Sequence, residues 1–402
     1  MRNGAEHASR ALSKWLRKGV RVRSDGLTAV KLADAGARVI VVEPKAKEPL
    51  HTSQRSDLDR LLLRDKESLA IDFDSPDVAG AIGSLMARAD VAVIDRETTL
   101  SVEYEELQAS HPKLIVCLLS PYGASGPYSD LPATELELQG ITGHMAFLGE
   151  MGQPPVRAGA DIAEVAGAMH AFVGIVSALY WREKSGRGQA VKVSIAGALL
   201  ALGSHWMADF SGPDAFTGGV THPYELPEVG YRCKDRQVIF GFFGRRSDKR
   251  DPFHELCKEL GLDDLLKDPF IAEHGAGYIG VGKDAQEMKP LLERAMSSWN
   301  SNDFLDMIHR IGGRGAPILE YNELYSDPQH PEVAASKVIF DIAGQDGHSH
   351  RAIRSPWCVN DGFGRAEHSA AQARGESTAQ VLREAGLSDE QIEDMRTTGW
   401  ID

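Results

Sequence analysis

Asp161 and Glu164 stand three residues apart at the head of an Ala-rich, almost wholly apolar stretch, residues 160–179 (ADIAEVAGAMHAFVGIVSAL). Apolar positions recur there at helical spacing, so the stretch predicts a helix with acids only in its first turn. Two readings of these acids are open. In one, Asp161 is the N-cap and Glu164 the N3 residue of a capping box worth about 1 kcal/mol. In the other, a carboxylate here is a nucleophile. The helix N-terminus favours its ionised form, and the neighbours Gly167, Ala168 and Ala171 leave room for a ligand. A carboxylate that attacks a thioester forms a mixed anhydride, a covalent route that divides a hard transfer into easier steps. His170 lies six residues beyond Glu164, on roughly the opposite side of a helix, and reads as a packed or hydrogen-bonded core residue.

Three other groups of residues could bind rather than react. Glu43 ends an apolar run, where an acid can grip a ribose in dinucleotide-binding folds. The fingerprint GxGxxG is absent, however, so a solvated strand end is the alternative. Arg64-Asp65-Lys66 could hold a phosphate as point charges, or form an ordinary charged turn. The loop 120–128 (SPYGASGPY) follows directly on an apolar run, and ligands gather beyond the carboxyl ends of strands in open α/β sheets. Small residues such as Gly123, beside Tyr122, let backbone N–H groups approach a ligand. No Gly-x-Ser-x-Gly and no HExxH occurs, so serine or zinc hydrolase chemistry has no support.

The elements that must position these groups alternate along the chain. Residues 20–23, 38–43, 69–73, 91–94, 113–119 and 190–195 read as strands. Residues 28–35, 78–88, 104–110 and the stretch at 160–179 read as helices, and 45–64 as loop. Strand and helix in alternation predict an α/β fold with a doubly wound, mostly parallel sheet. Residues 211–228 look like a linker or lid, 230–243 a hairpin turning at 234–236, and 251–311 mostly helical. These last form a second, smaller α+β domain. The tail reads as helices at 378–385 and 388–396, the second opened by the capping-box pattern Ser388-x-x-Gln391. The predicted division is 1–210, 225–325 and 326–402.

A chain of 402 residues exceeds one ordinary core. Its net charge of −14 disfavours nucleic acid or an anionic membrane as the main partner. The four cysteines are scattered, with no CxxC and no His at metal spacing, which points to free thiols in a reducing cytoplasm and to no metal. The N-terminus lacks the apolar core of a signal peptide. The longest apolar candidate for a span, 165–179, is interrupted by His170 and is too short.

Several stretches, in order, resemble the class III CoA-transferases, a family that includes formyl-CoA transferase, carnitine CoA-transferase and α-methylacyl-CoA racemase. They are LADAGARVIVVEP (32–44), DKESLAIDF (65–73), ARADVAVI (87–94), HPKLIVCLLSPYGASGPY (111–128), ATELELQGITG (133–143), the helix at 160–179, WREKSGRGQAVKVSI (181–195) and the tail 375–401. The resemblance implies a Rossmann-like large domain built from both chain ends, a smaller domain between them, and an interlocked homodimer. It implies acyl-CoA and a small carboxylic acid as substrates. It also implies a carboxylate nucleophile that takes the acyl group, then CoA, and passes CoA to the acceptor acid. The family's aspartate falls at Glu164, with Asp161 one turn earlier. CoA is then expected with its phosphates near Arg64 and Lys66 and its thiol end near Tyr122 and Gly123. Two departures stand out: the family's Leu-Ala-Gly-Pro motif after strand one is missing, and Thr134-Glu135 stands where racemases carry His-Asp. CoA transfer is the expected activity. The alternatives are acyl-CoA racemisation or isomerisation, and a degenerate homologue that binds CoA without turnover.

Overall fold

The computed structural model describes residues 23–45, 56–73, 75, 78–95, 107–147, 154–203, 230–241, 252–267, 283–327, 330–343, 349–357 and 367–402. The stretch 211–228, read as a linker or lid, lies outside them. The fold is mixed α/β and divides into two compact units. One comprises residues 1–146, 157–204 and 331–402; the other comprises 147–156 and 205–330.

The larger unit opens with helix α1 (Arg23–Asp34). A strand was expected to reach Arg23, but Val30 and Ala33 are buried at helical spacing and the helix takes in Ser24-Asp25-Gly26. Strand β1 (Val39–Pro44) pairs in parallel with β2 (Lys66–Ile71), Glu43 standing opposite Ala70. Between them, where a loop was expected, helix α2 (Asp57–Leu63) forms because the Ser56 hydroxyl accepts the Asp59 N–H at 3.1 Å. Helix α3 (Val78–Met86) leads to β3 (Val91–Asp95), then β4 (Ile115–Ser120). Helix α4 (Glu135–Ile141) and the long α5 (Ile162–Ser185) precede β5 (Ala190–Ser194) and α6 (Ile195–Leu202). Strands β3, β4 and β5 form a second parallel sheet in that order.

Helix α5 is the spine of this sheet. Ala171 and Ile175 pack on Cys117 and Leu119 of β4. A Cβ on Gly174 would stand 2.6 Å from Val191 Cγ1, so only glycine admits β5 at that approach. The helix is longer than the span considered from sequence. At 24 residues it is long and apolar enough, by length and composition, to cross a membrane.

The smaller unit contains β6 (Tyr231–Arg232), β7 (Gln237–Gly241), α7 (Pro252–Leu260), α8 (Lys283–Met296), α9 (Ser301–Arg310), β8 (Arg314–Pro317) and α10 (Tyr321–Ser326). The three strands form an antiparallel sheet, β6-β7-β8. Val238, Phe253, Leu256, Leu292, Phe304 and Ile308 are its core.

The chain then returns to the larger unit through α11 (Pro331–Ser336), the antiparallel pair β9 (Ile339–Ala343) and β10 (Ser349–Ile353), α12 (Thr378–Glu384) and α13 (Asp389–Thr397). Val381, Leu382, Ile392, Met395 and Ile401 bury Leu69 and Ile71 of β2. The Thr378 hydroxyl accepts the Ala70 N–H at 3.0 Å. The Ser388–Gln391 capping box expected from sequence is present at the start of α13.

Candidate functional site

The carboxyl ends of β4 and β5 and the amino ends of α4, α5 and α6 converge on one corner of the larger unit. Tyr122, in the loop after β4, packs against the buried cluster of Leu138, Ala163, Ile195 and Leu199, drawn from α4, α5 and α6. Its ring lies 5.5 Å from that of Tyr128. Burial, then the negative charge of Glu137 and the neighbouring Tyr128, push the Tyr122 phenol above its ordinary range. Gly123 adopts φ +102°, a left-handed turn that glycine enters without strain, and it abuts Ser194 at the end of β5.

The amino end of α5 is held from outside the helix. Glu135 of α4 is buried and accepts two of the first backbone N–H groups of α5: Ala163 N at 2.9 Å on Oε1 and Glu164 N at 3.0 Å on Oε2. Gln139 Nε2 steadies that carboxylate at 2.7 Å. Asp161 occupies the N-cap position but caps nothing with its side chain; its Oδ1 accepts from Arg157 Nη2 at 2.6 Å. The capping-box reading of Asp161 and Glu164 is therefore corrected. Glu135 supplies the acceptors, and the first-turn N–H groups that could have favoured a charge on Glu164 are already taken.

Glu164 is half-buried at this corner, with Oε2 shielded from solvent. The small residues beyond it do not leave a ligand space as expected. Gly167 meets Ile195, where an added Cβ would lie 3.0 Å from Cγ1, and Ala171 faces the sheet. His170 is exposed rather than in the core, with its Nδ1 2.9 Å from the Ala166 carbonyl.

Four of the residues singled out from sequence thus share one corner: Tyr122, Gly123, Asp161 and Glu164. The other three make their contacts at the β1–β2 sheet. Glu43 is buried and accepts from the Ser68 hydroxyl at 2.5 Å, with Arg374 Nε at 3.9 Å. Arg64 is fully buried, donating to Asp34 Oδ1 at 2.7 Å and Asp65 Oδ2 at 2.6 Å. Lys66, also buried, donates to the carbonyls of Leu62 at 2.5 Å and Arg64 at 3.3 Å. Asp65 turns the chain inward with φ +60°, a conformation Asp tolerates better than most residues.

Asp34, Asp65 and His368 bring ligand atoms within 4.8 Å of one another. The cation they surround is the Arg64 guanidinium, whose Nη1 also lies 3.3 Å from His368 Nδ1. Burial alone would raise Asp65. Hydrogen bonds from His368, the Ser369 N–H and Arg64 outweigh it and hold the carboxyl below its ordinary range.

Of Glu135, Gln139 and Arg157, only Glu135 was named in the sequence, in the Thr134-Glu135 pair at the racemases' His-Asp position, and none was given a capping role. A signal existed for the first two: Thr134-x-x-Glu137 is a capping-box pattern, and Glu137 Oε2 accepts the Thr134 N–H at 2.9 Å. That pattern starts a helix at Glu135 and puts Gln139 one turn further on the same face.

Comparison with known proteins agrees with this architecture. The sequence model of CoA-transferase family III matches residues 26–376, and the chain belongs to that family. An acetyl-CoA:oxalate CoA-transferase from Acetobacter aceti is 30% identical over 74% of this chain and 78% of its own length. A succinate–glutarate CoA-transferase from Agrobacterium fabrum is 26% identical over 80% of this chain and 78% of its own. A CaiB/BaiF family protein from Brucella suis shares the fold, with TM-score 0.73 and 23% identity over 90% of this chain and 95% of that one. The protein is an enzyme of the CoA-transferase class, and racemisation is not favoured.

Proposed function

We propose that this enzyme moves CoA from an acyl-CoA to an acceptor carboxylic acid through Glu164. The observation that carries the proposal is a half-buried carboxylate at the carboxyl edge of a parallel sheet, on a helix end locked by Glu135. Glu164 attacks the donor thioester, forming a mixed anhydride and releasing CoA thiolate. The thiolate attacks the Glu164 carbonyl, forming a glutamyl-CoA thioester and releasing the donor acid. The acceptor carboxylate attacks that thioester, again expelling CoA thiolate and leaving an anhydride. The thiolate then takes the acceptor's acyl carbon, and Glu164 is free again.

Tyr122 and Gly123 are proposed to receive the thioester end, because they lie beyond β4 beside the same helix ends. The Tyr122 phenol can donate to a developing oxyanion. Arg64, Lys66 and Glu43 stay in the proposal for the nucleotide end on charge alone. A phosphate reaches Arg64 or Lys66 only by displacing their internal partners. A Rossmann-like continuity of the two parallel sheets, an interlocked homodimer and a cytoplasmic setting belong to the same proposal. The relatives named above act on oxalate and glutarate, acids with two carboxylates, and the acceptor proposed here is of that class.

The test is covalent trapping. Hydroxylamine added during turnover should modify one peptide, the one containing Glu164. Glu164→Gln should abolish transfer while its unfolding free energy changes by about 1 kcal/mol or less. Glu135 rather than Glu164 caps the helix, and the amide keeps the side chain's size. Asp161→Asn should retain transfer. An inactive Asp161→Asn beside an active Glu164→Gln would move the nucleophile one turn earlier, and a modified peptide elsewhere would remove Glu164 from the mechanism.

A further inference from the structure

Arg157 has no part in the transfer steps above, yet it is held at the same corner. It lies on the strap that enters α5, and Gln139, which is fully buried, anchors that strap. Gln139 Oε1 accepts the Ala158 N–H at 2.9 Å, and Nε2 donates to the Ala160 carbonyl at 3.3 Å. Arg157 Nη2 in turn donates to Asp161 Oδ1 at 2.6 Å. Asp161 is the N-cap of α5 and Glu164 is the third residue of that helix. The guanidinium is therefore tied to the same helix end that carries Glu164.

Asp161 takes one edge of the guanidinium. The side chain is 48% exposed, so the rest of its donor fork can meet a ligand. That fork matches a carboxylate with two parallel N–H···O bonds. A dianionic acid approaching a chain of net charge −14 also needs a local cation to offset the repulsion.

We infer that Arg157 binds the remote carboxylate of a dicarboxylic acceptor while the near carboxylate reacts at Glu164. The inference rests on the CoA-transfer reading and adds to it the residue that selects the acid. Asp161 orients the fork; it neither caps α5 nor reacts. A monocarboxylic acid of equal length loses this contact and keeps the chemistry.

The experiment compares wild type, Arg157→Gln and Arg157→Lys, with succinate and butyrate as acceptors for one acyl-CoA donor. Succinate binding is measured in parallel by calorimetry. In Arg157→Gln the KM for succinate should rise about 10–100-fold, the loss of one charge-assisted pair. Its kcat should stay within about threefold, because the contact does not change between ground and transition states. Arg157→Lys should fall between, and butyrate kinetics should not move. An unchanged succinate KM, or equal changes for succinate and butyrate, would overturn the inference. Far-UV circular dichroism and melting of each variant report on folding. Failure of the CoA-transfer reading looks different: wild type would exchange CoA with no acid and give no Glu164 adduct. Calorimetry would still decide on Arg157 in that case, since succinate binding that vanishes in Arg157→Gln upholds its role and binding that persists removes it.

Discussion

Two arginines, each paired with an aspartate, have opposite fates. Arg157 stays at the surface with one acid, while Arg64 is fully enclosed by Asp65 beside it and by partners that arrive from far along the chain: Asp34 from α1, and His368 and Ser369 bound to Asp65 from the return segment. Phe340 of β9 closes the same group, with the Arg64 guanidinium 5.6 Å from its ring centre. A charge so enclosed depends on every partner, because removing one leaves the others buried and uncompensated. Asp65→Ala should therefore cost about 3–5 kcal/mol of unfolding free energy at pH 7, measured in denaturant. The pH dependence has a definite sign. Asp65 is held below its ordinary range, so its contribution is complete above about pH 4 and is lost as the pH falls through the depressed value. The gap between wild type and Asp65→Ala should hence narrow in acid; a gap that is constant from pH 7 to pH 3 would contradict the ion-pair account. Sequence reading could not see this. Arg64-Asp65-Lys66 looks like a solvated turn because, Asp65 apart, the residues that enclose it lie about 30 and 300 positions away.

Elements whose signal is local were legible, and those fixed by distant partners were not. The apolar β-branched run RVIVVE forms β1 within one residue of its expected place, and KLIVCLL forms β4. β4 is buried along its whole length and β1 is mostly half-buried, and neither needs a partner to be recognised. The Ser388 capping box was legible because donor and acceptor sit three residues apart. The head of α5 was misread for the converse reason. Two acids in its own first turn offered a local cap, but the cap came from Glu135, 28 residues upstream. Helix α2 was missed because the charges of DLDRLLL hid its Ser56 start. The foreign cap gives a test at this scale. In Glu135→Ala the Ala163 and Glu164 amides lose a charged acceptor, and the protein should lose about 2–4 kcal/mol. Those two amides should also exchange faster than the middle of α5. Glu135→Gln keeps one acceptor oxygen and should lose about half as much. Exchange at Ala163 and Glu164 that matches wild type in Glu135→Ala would show that the cap is not what orders the helix end.

At the scale of the whole molecule, α5 poses a question that its own fold does not answer. Its sheet-facing side is filled by Ala171, Ile175 and Gly174, the glycine that lets β5 approach. Its other side carries Val165, Met169, Val173, Val176 and Tyr180, all exposed, with Val173 58% and Tyr180 64% accessible. Their spacing of four, four, three and four residues makes one continuous stripe along four turns of helix. Scattered exposed apolar residues are ordinary, but a contiguous stripe marks a surface that another element covers. A second copy of this chain is the proposed occupant, in keeping with the interlocked dimer that the family resemblance implies. Sedimentation at micromolar concentration should then give a species of about twice the 43.7 kDa chain mass. Val173→Glu places a charge in the middle of the stripe. An isologous interface repeats each change on both partners, so the two copies should add their penalties. The variant should sediment as monomer or lose its cooperative melting transition, since a subunit of an obligate dimer often has no stable fold alone. Val173 does not touch the core of its own subunit, so a monomeric reading of the protein predicts no change in melting at all. A wild-type monomer that melts cooperatively, with Val173→Glu indistinguishable from it, would leave the stripe without a partner of its own kind.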